Sequence, residues 1–165
     1  MKKTFVLVIL SLLCTAGLFA QSTAPRVAFL PFTNQEGELE LNVWCYDLQD
    51  SLQKRFAELD PEEKYYRIIP YEEIETILSD MNFDPANPQF ASDMWKVVEQ
   101  LNADYVISGN FVIEANRFLI NTYIYDVSIK LPVTTHQARD IFVPLDKVMR
   151  SIVPISKKLS GYFIK

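Results

Sequence analysis

The chain has 165 residues and a formal net charge of −5, with 21 acidic and 16 basic side chains. This acidic balance argues against binding to nucleic acid and against electrostatic attachment to anionic lipid, because both depend on clustered Lys and Arg. The length fits one ordinary domain that can bury a core without disulfides.

The first twenty residues have the layout of a bacterial secretory signal. Lys2 and Lys3 precede an uncharged stretch, residues 4–20, which has an apolar centre and small residues near its end. The stretch is at the short limit for crossing a bilayer, and no basic cluster follows it. We therefore expect cleavage after Ala20, which removes two lysines and brings the net charge to −7.

Three segments follow from this interpretation: a signal peptide at 1–20, a polar leader at 21–25 and one folded domain at 26–165. An uncleaved anchor and lipidation at Cys14 are the alternatives, and Leu13 before that cysteine disfavours lipidation. The expected location is the periplasm, with association to the outer membrane left open.

Cleavage leaves Cys45 as the single cysteine, so an intramolecular disulfide is excluded even in an oxidising compartment. Cys45 lies between Trp44 and Tyr46 in a helical pattern. We predict a buried, inert thiol, with a reactive or intermolecular thiol as the alternative.

Strands and helices alternate in the first half of the domain. The apolar run 26–32 is typical of a buried central strand with a proline at its exit. An apolar side chain recurs every four residues from Trp44 to Phe56 and predicts a helix from about residue 42, closed by Asp60 and Pro61. The pattern then predicts, in order, a strand at 65–69, a helix at about 72–81, a helix at about 91–101 and a strand at 105–111.

The second half has a different pattern. Residues 114–117 separate two apolar segments and predict a hairpin turn, followed by a fourth strand that ends at Asp126. A fifth strand is predicted at about 135–143. A closing helix begins at Pro144, and Pro154 is expected to kink its middle.

Two strand–helix–strand steps followed by a hairpin and one further strand predict an α/β fold. We expect a single-domain sandwich with about four helices on the faces of a five-stranded mixed sheet. The expected strand order is second, first, third, fourth, fifth. The first three strands are predicted to be parallel and the last two antiparallel.

Glycine-rich phosphate-binding motifs are missing from the sequence. Gly37 follows the first strand, where doubly wound folds often bind ligands. Its neighbours Glu36, Glu38 and Glu40 would repel phosphate, so we expect a solvated or protein-contacting loop there.

The remaining residues with reactive side chains do not form a recognisable catalytic pattern. His136 is the only histidine, and we expect it at the surface or at a strand edge. The acidic residues between Glu72 and Glu75 lack calcium-loop spacing and suit the first turn of a helix. The sequence therefore predicts no catalytic residue, no cofactor and no metal site, and hence a protein that is not an enzyme.

Four segments resemble a known group of envelope proteins: VAFLPFTN (27–34), YRIIPYEEIETIL (66–78), LNADYVISGNF (101–111) and FLINTYIYDV (118–127). They are similar to the amino-terminal domain of TolB, and to the curli-secretion lipoprotein, the flagellar protein FlgO and the penicillin-binding-protein activator LpoB. The resemblance implies this α/β fold and a role in envelope assemblies that is mostly not enzymatic. The expected domain at 26–165 includes no counterpart of the TolB propeller.

These observations predict a non-catalytic, exported protein-interaction module of a cell-envelope assembly. Its partner is an unidentified envelope protein, at the outer membrane or on peptidoglycan, and self-association is left open. The predicted contact residues lie in the loop after the first strand and around the second helix, where aromatic side chains can anchor an interface: Asn34, Glu36, Glu38, Tyr71 and Phe83.

Two alternative functions are retained. One is a periplasmic protein that binds a small molecule or a glycan in the cleft beyond the carboxyl ends of the parallel strands. The other is an enzyme that uses His136, Glu36 or Cys45.

Overall fold

The structure is a computed structural model that describes residues 24–81, 83–85, 87 and 90–164. The predicted signal peptide with Cys14, and most of the predicted leader, lie outside these residues. Within the described ranges, no helix is long and apolar enough to cross a membrane.

The sheet has a mixed strand arrangement with four α-helices on its faces. The strands are β1 Arg26–Phe29, β2 Thr33–Asn34, β3 Arg67–Ile68, β4 Tyr105–Glu114, β5 Arg117–Asp126, β6 Leu131–Pro132 and β7 Ala138–Pro144. The helices are α1 Val43–Leu59, α2 Tyr71–Asp80, α3 Phe90–Leu101 and α4 Ile152–Ser160. Two 3-10 helices, Leu39–Asn42 and Leu145–Ser151, precede α1 and α4.

The strand order is β3-β1-β4-β5, and both β6 and β7 pair with β5. β1 is parallel to β3 and to β4, whereas β4 pairs with β5 and β5 with β7 in antiparallel fashion. The predicted fold class and strand order are therefore confirmed. β2 and β6 add two short strands that the sequence did not predict, because two residues are too few to show a period.

β1 is buried on both faces, as predicted for the central strand. Val27 and Phe29 face one core, which α1 and α4 cover. Ala28 and Leu30 face a second core, which α2 and α3 cover. The strand thus lies between two layers of helices, which explains its continuous apolar sequence.

The hairpin between β4 and β5 is the longest pairing in the sheet, running in register from Tyr105 opposite Asp126 to Glu114 opposite Arg117. Ala115 and Asn116 form the turn, with φ angles of 49° and 59°. Two consecutive residues in the left-handed region are typical of the two-residue turn that matches the strand twist. The predicted hairpin is confirmed.

The prediction that Pro154 kinks the middle of the closing helix was wrong. The segment after Pro144 is a 3-10 helix with a non-helical residue at Lys147, and α4 begins only at Ile152. Pro154 therefore lies in the first turn of α4, where its missing N–H has no carbonyl partner to lose.

Candidate protein-interaction surface

Asn34 organises the loop that follows β1. Its side-chain amide donates to the backbone carbonyl of Glu38 at 2.8 Å and to the Asn42 side-chain oxygen at 2.9 Å. Its own side-chain oxygen accepts the backbone N–H of Glu36 at 3.1 Å. Because Asn34 is only 2% exposed, it shapes the loop from inside and offers almost no area to a partner.

The loop itself is anchored to the sheet yet exposed to solvent. The Glu36 carboxylate accepts the backbone N–H of Ile113 at 2.6 Å, which continues the pairing of β2 with β4. Gly37 has a φ of 73°, a left-handed conformation that glycine adopts without strain. Residues 35–40 are all exposed, so the Glu38 side chain faces solvent.

An apolar stripe continues from this loop onto α1. Leu39 is 76% exposed, Val43 53% and Tyr46 37%. Their spacing of four and three residues places them on one helical face, next to the buried face that the sequence analysis identified. Neighbouring exposed apolar side chains of this size mark a contact surface more often than isolated ones do. The sequence alone did not predict this stripe.

Tyr71, the first residue of α2, is half-buried and lies within electrostatic range of α1. Burial raises the pKa of Tyr71, and the nearby charges of Glu75 and Asp50 add to that effect. Burial likewise raises the pKa of Tyr46, with contributions from Cys45, Tyr71 and Asp84. These electrostatic effects place the start of α2 and residue 84 close to Tyr46.

Phe83 and the segment after it adjoin the loop. The Phe83 side chain is half-buried against the second core. Two residues later, the carbonyl of Pro85 accepts the backbone N–H of Asn34 at 3.3 Å. The five residues predicted as contacts therefore come from one end of the sheet, although Asn34 is buried.

The chain segments that carry the stripe and Tyr71 are acidic. Residues 27–53 contain five acidic and no basic side chains, and residues 68–95 contain six acidic and none basic. We call the combined region the aromatic–acidic surface. It comprises Leu39, Val43, Tyr46 and Tyr71, together with the exposed acids Glu36, Glu38, Glu40 and Asp47.

Cys45 points away from this surface into the core. It is 0% exposed, and burial raises the pKa of its thiol to about 12. The prediction of a buried thiol is confirmed.

We expect Cys45 to resist alkylation by iodoacetamide at about pH 8 in the folded protein, because the thiolate is the reactive form. It should react completely in guanidinium chloride, and intact mass spectrometry counts the adducts.

The raised pKa of the Cys45 thiol also predicts that stability depends on pH. Burial of the protonated thiol stabilises the folded protein below about pH 9, and this stabilisation is lost as the pH rises towards 12. Equal alkylation rates in the folded and unfolded protein would contradict the burial.

His136 lies just before β7 and is half-buried. Its Nδ1 is 2.9 Å from the hydroxyl of the adjacent Thr135, and its ring contacts Tyr162 with centroids 5.8 Å apart. Among the hydrogen bonds found between described residues, the one that reaches the imidazole comes from Thr135. The part of the chain that the structure describes also contains no group of three potential metal ligands.

No model of a protein family matches the sequence, and no curated protein matches it. Solved structures do match the fold. The LpoB C-terminal domain from Salmonella enterica is 12% identical over 79% of this chain and 91% of its own, with a TM-score of 0.51. Lipoprotein GNA1162 from Neisseria meningitidis is 12% identical over the same shares, with a TM-score of 0.53.

A third match is the NMR structure of Escherichia coli LpoB, which is 10% identical over 73% of this chain and 57% of its own, with a TM-score of 0.52. Identities this low establish the fold and nothing finer. The predicted resemblance is therefore confirmed as a fold: this chain has the α/β architecture of LpoB-like envelope modules.

Proposed function

We propose that this protein is a non-catalytic, exported interaction module of a cell-envelope assembly, in the periplasm or at the outer membrane. The observation that carries the proposal is the exposed stripe of Leu39, Val43 and Tyr46, which lies in an acidic chain segment, residues 27–53, that contains no basic residue. The fold shared with LpoB domains and with a lipoprotein supports the envelope setting.

The chemistry of the surface specifies the kind of partner. The stripe offers apolar area whose burial stabilises a complex by about 25 cal/mol per Å² before the costs of association. The surrounding carboxylates favour a partner surface that carries Lys or Arg, and they repel a second acidic copy. We therefore propose a different envelope protein with a basic, apolar contact surface.

A photo-crosslinking residue in place of Val43 tests this proposal directly. Val153 is the control for the acidic setting. It is also an exposed helical valine, 59% exposed compared with 53% for Val43, but it lies with the exposed Met149 in a segment, residues 147–158, that contains four basic and no acidic side chains. We expect position 43 to give one dominant adduct in living cells and position 153 to give none of the same mass. Mass spectrometry of the adduct identifies the partner and its contacting peptide.

The ionic strength of the medium provides a second readout. With the identified partner purified, binding should weaken as salt rises, because exposed charges separated by more than about 10 Å are screened near 0.1 M salt. A Val43→Ser and Leu39→Ser double variant should lose binding and keep its melting temperature, since both side chains are exposed. Equal crosslinking at 43 and 153 would contradict the proposed surface, and an adduct of twice the protein's mass would identify self-association instead.

A further inference from the structure

Two clefts adjoin each other at the amino ends of β1 and β4. The first, of about 530 Å³, is lined by the rings of Tyr65, Tyr105, Tyr162 and Phe163, together with His136 and Gly161. The second, of about 500 Å³, shares Pro25 and Tyr105 with the first and contains Asp104 and Asp126. These clefts lie at the opposite end of the parallel strands from the place where the sequence analysis expected a ligand.

Three rings of the first cleft hold one another in fixed orientations. Tyr105, Tyr162 and Phe163 contact pairwise with centroids 5.1–5.5 Å apart and interplanar angles of 73–83°. Phe163 in turn packs edge-on against the buried ring of Tyr66 at 5.3 Å. The half-buried ring surfaces are therefore positioned before any ligand arrives, which lowers the entropy cost of binding.

The same cleft carries several uncharged polar groups. The hydroxyls of Tyr162 and Tyr105 share a hydrogen bond and lie 3.1 Å apart. That bond and, to a smaller extent, burial raise the pKa of Tyr105 to about 12. The Thr135 hydroxyl lies 2.9 Å from Nδ1 of His136, and the ring edge formed by Cδ2 and Nε2 lies beside Gly161.

This combination restricts the class of ligand. No side chain that lines the first cleft carries a formal charge when His136 is neutral. The exposed Lys64 lies at its margin, with Nζ 5.1 Å from the Tyr65 ring centroid. A cationic ligand would therefore gain no counter-charge in the first cleft, and an anionic ligand would meet only this one ammonium group, whose charge water screens. A purely apolar ligand would leave the hydroxyls unpaired. A sugar ring satisfies both conditions, because its C–H face packs on the negative face of an aromatic ring and its hydroxyls form hydrogen bonds.

We propose that this cleft binds an uncharged, pyranose-containing glycan. The adjoining cleft extends the site. One oxygen of Asp104 accepts the backbone N–H of Arg26, and one oxygen of Asp126 accepts two hydrogen bonds from Ser128. The second oxygen of each carboxylate can accept a hydrogen bond from the hydroxyl of a neighbouring sugar, and both carboxylates repel uronic acids. This second site lies at the far end of the sheet from the aromatic–acidic surface and is independent of the proposed function.

Calorimetric titration tests the ligand class. The protein is expressed from its full-length gene with its own leader and purified after export. It is then titrated with cellotetraose and chitotetraose as neutral probes, tetragalacturonate as an acidic probe and decaproline as a peptide probe. We expect at least one neutral tetrasaccharide to bind and the other two probes not to bind. Binding by none of the neutral sugars, or by decaproline in their place, would overturn the proposal.

Variants test the location. Tyr162→Ala removes a ring, and Gly161→Leu fills the cleft at a residue whose φ of −59° suits any side chain. Each should weaken binding at least tenfold, equal to about 1.4 kcal/mol. Tyr123→Ala is the matched control, because strand alternation places this half-buried tyrosine on the other face of β5. Unchanged affinity in Gly161→Leu, with an unchanged melting temperature, would place the sugar elsewhere and sink the assignment.

Discussion

Replacing Gly109 with alanine should lower the free energy of unfolding by about 3 kcal/mol or more. A Cβ atom at this position in β4 would overlap the backbone carbonyl oxygen of Asn121 and would come within 2.7 Å of the Phe32 ring. The carbonyl belongs to the paired strand β5, and the ring is 1% exposed in the core. Neither neighbour can move without disturbing the hairpin or the packing of β1.

Urea denaturation monitored by circular dichroism measures this effect. Gly161→Ala is the control, because Gly161 has a φ of −59° and the nearest atoms to an added Cβ, those of His136, are 3.5 Å away. We expect Gly161→Ala to raise the free energy of unfolding by about 0.4–1 kcal/mol, since alanine has fewer unfolded conformations than glycine. A Gly109→Ala protein as stable as the parent would show that the hairpin and Phe32 do not pack as described.

Replacing Asp60 with alanine should cost about 3 kcal/mol of stability. Asp60 follows the last residue of α1 and is 6% exposed. Its carboxylate accepts three backbone N–H groups, those of Lys64, Tyr65 and Tyr66, at 3.0, 2.7 and 3.1 Å. Alanine would leave all three donors without a partner in a turn that leads directly into β3.

The Asp60→Asn variant distinguishes the loss of hydrogen bonds from the loss of side-chain volume, because asparagine and aspartate have nearly the same size. Two of the three N–H groups bond to the same carboxylate oxygen, which an asparagine carbonyl can replace, and only the bond from Lys64 is lost. We expect a cost of about 1 kcal/mol for Asp60→Asn, measured by the same urea titration. Equal costs for the two substitutions would contradict the three-bond geometry.

The sequence predicted well those elements whose burial is visible as a local spacing of apolar residues. The strand at β1 is apolar without interruption because both of its faces are covered, and the helix at α1 shows a buried side chain on each turn. The hairpin was predictable because Ala115 and Asn116 separate two apolar strands. Closure of α1 at Pro61 was also predictable, although the capture of three N–H groups by Asp60 was not.

The sequence predicted less where contacts between distant residues decide the structure. Asn34 turns inward because its amide meets Asn42 and the Glu38 carbonyl, a geometry that depends on the path of the whole loop. Apolar residues lie on more than one side of α1 near Val43, and only the packing of the whole fold decides that Cys45 is buried while Val43 is exposed. The glycan cleft depends on a contact between Tyr105 and Tyr162, which are 57 residues apart in the chain.

The chain enters the sheet at the end opposite the aromatic–acidic surface. Pro25 leads into β1 beside the aromatic cleft, whereas Asn34 pairs with Phe111, six residues further along β4 than Tyr105. At roughly 3.3 Å per residue, the two ends are about 20 Å apart. If the protein were attached through its amino terminus, the aromatic cleft would therefore lie near the point of attachment. Leu39 and Val43 would then lie at the opposite end of the sheet, facing away from that point.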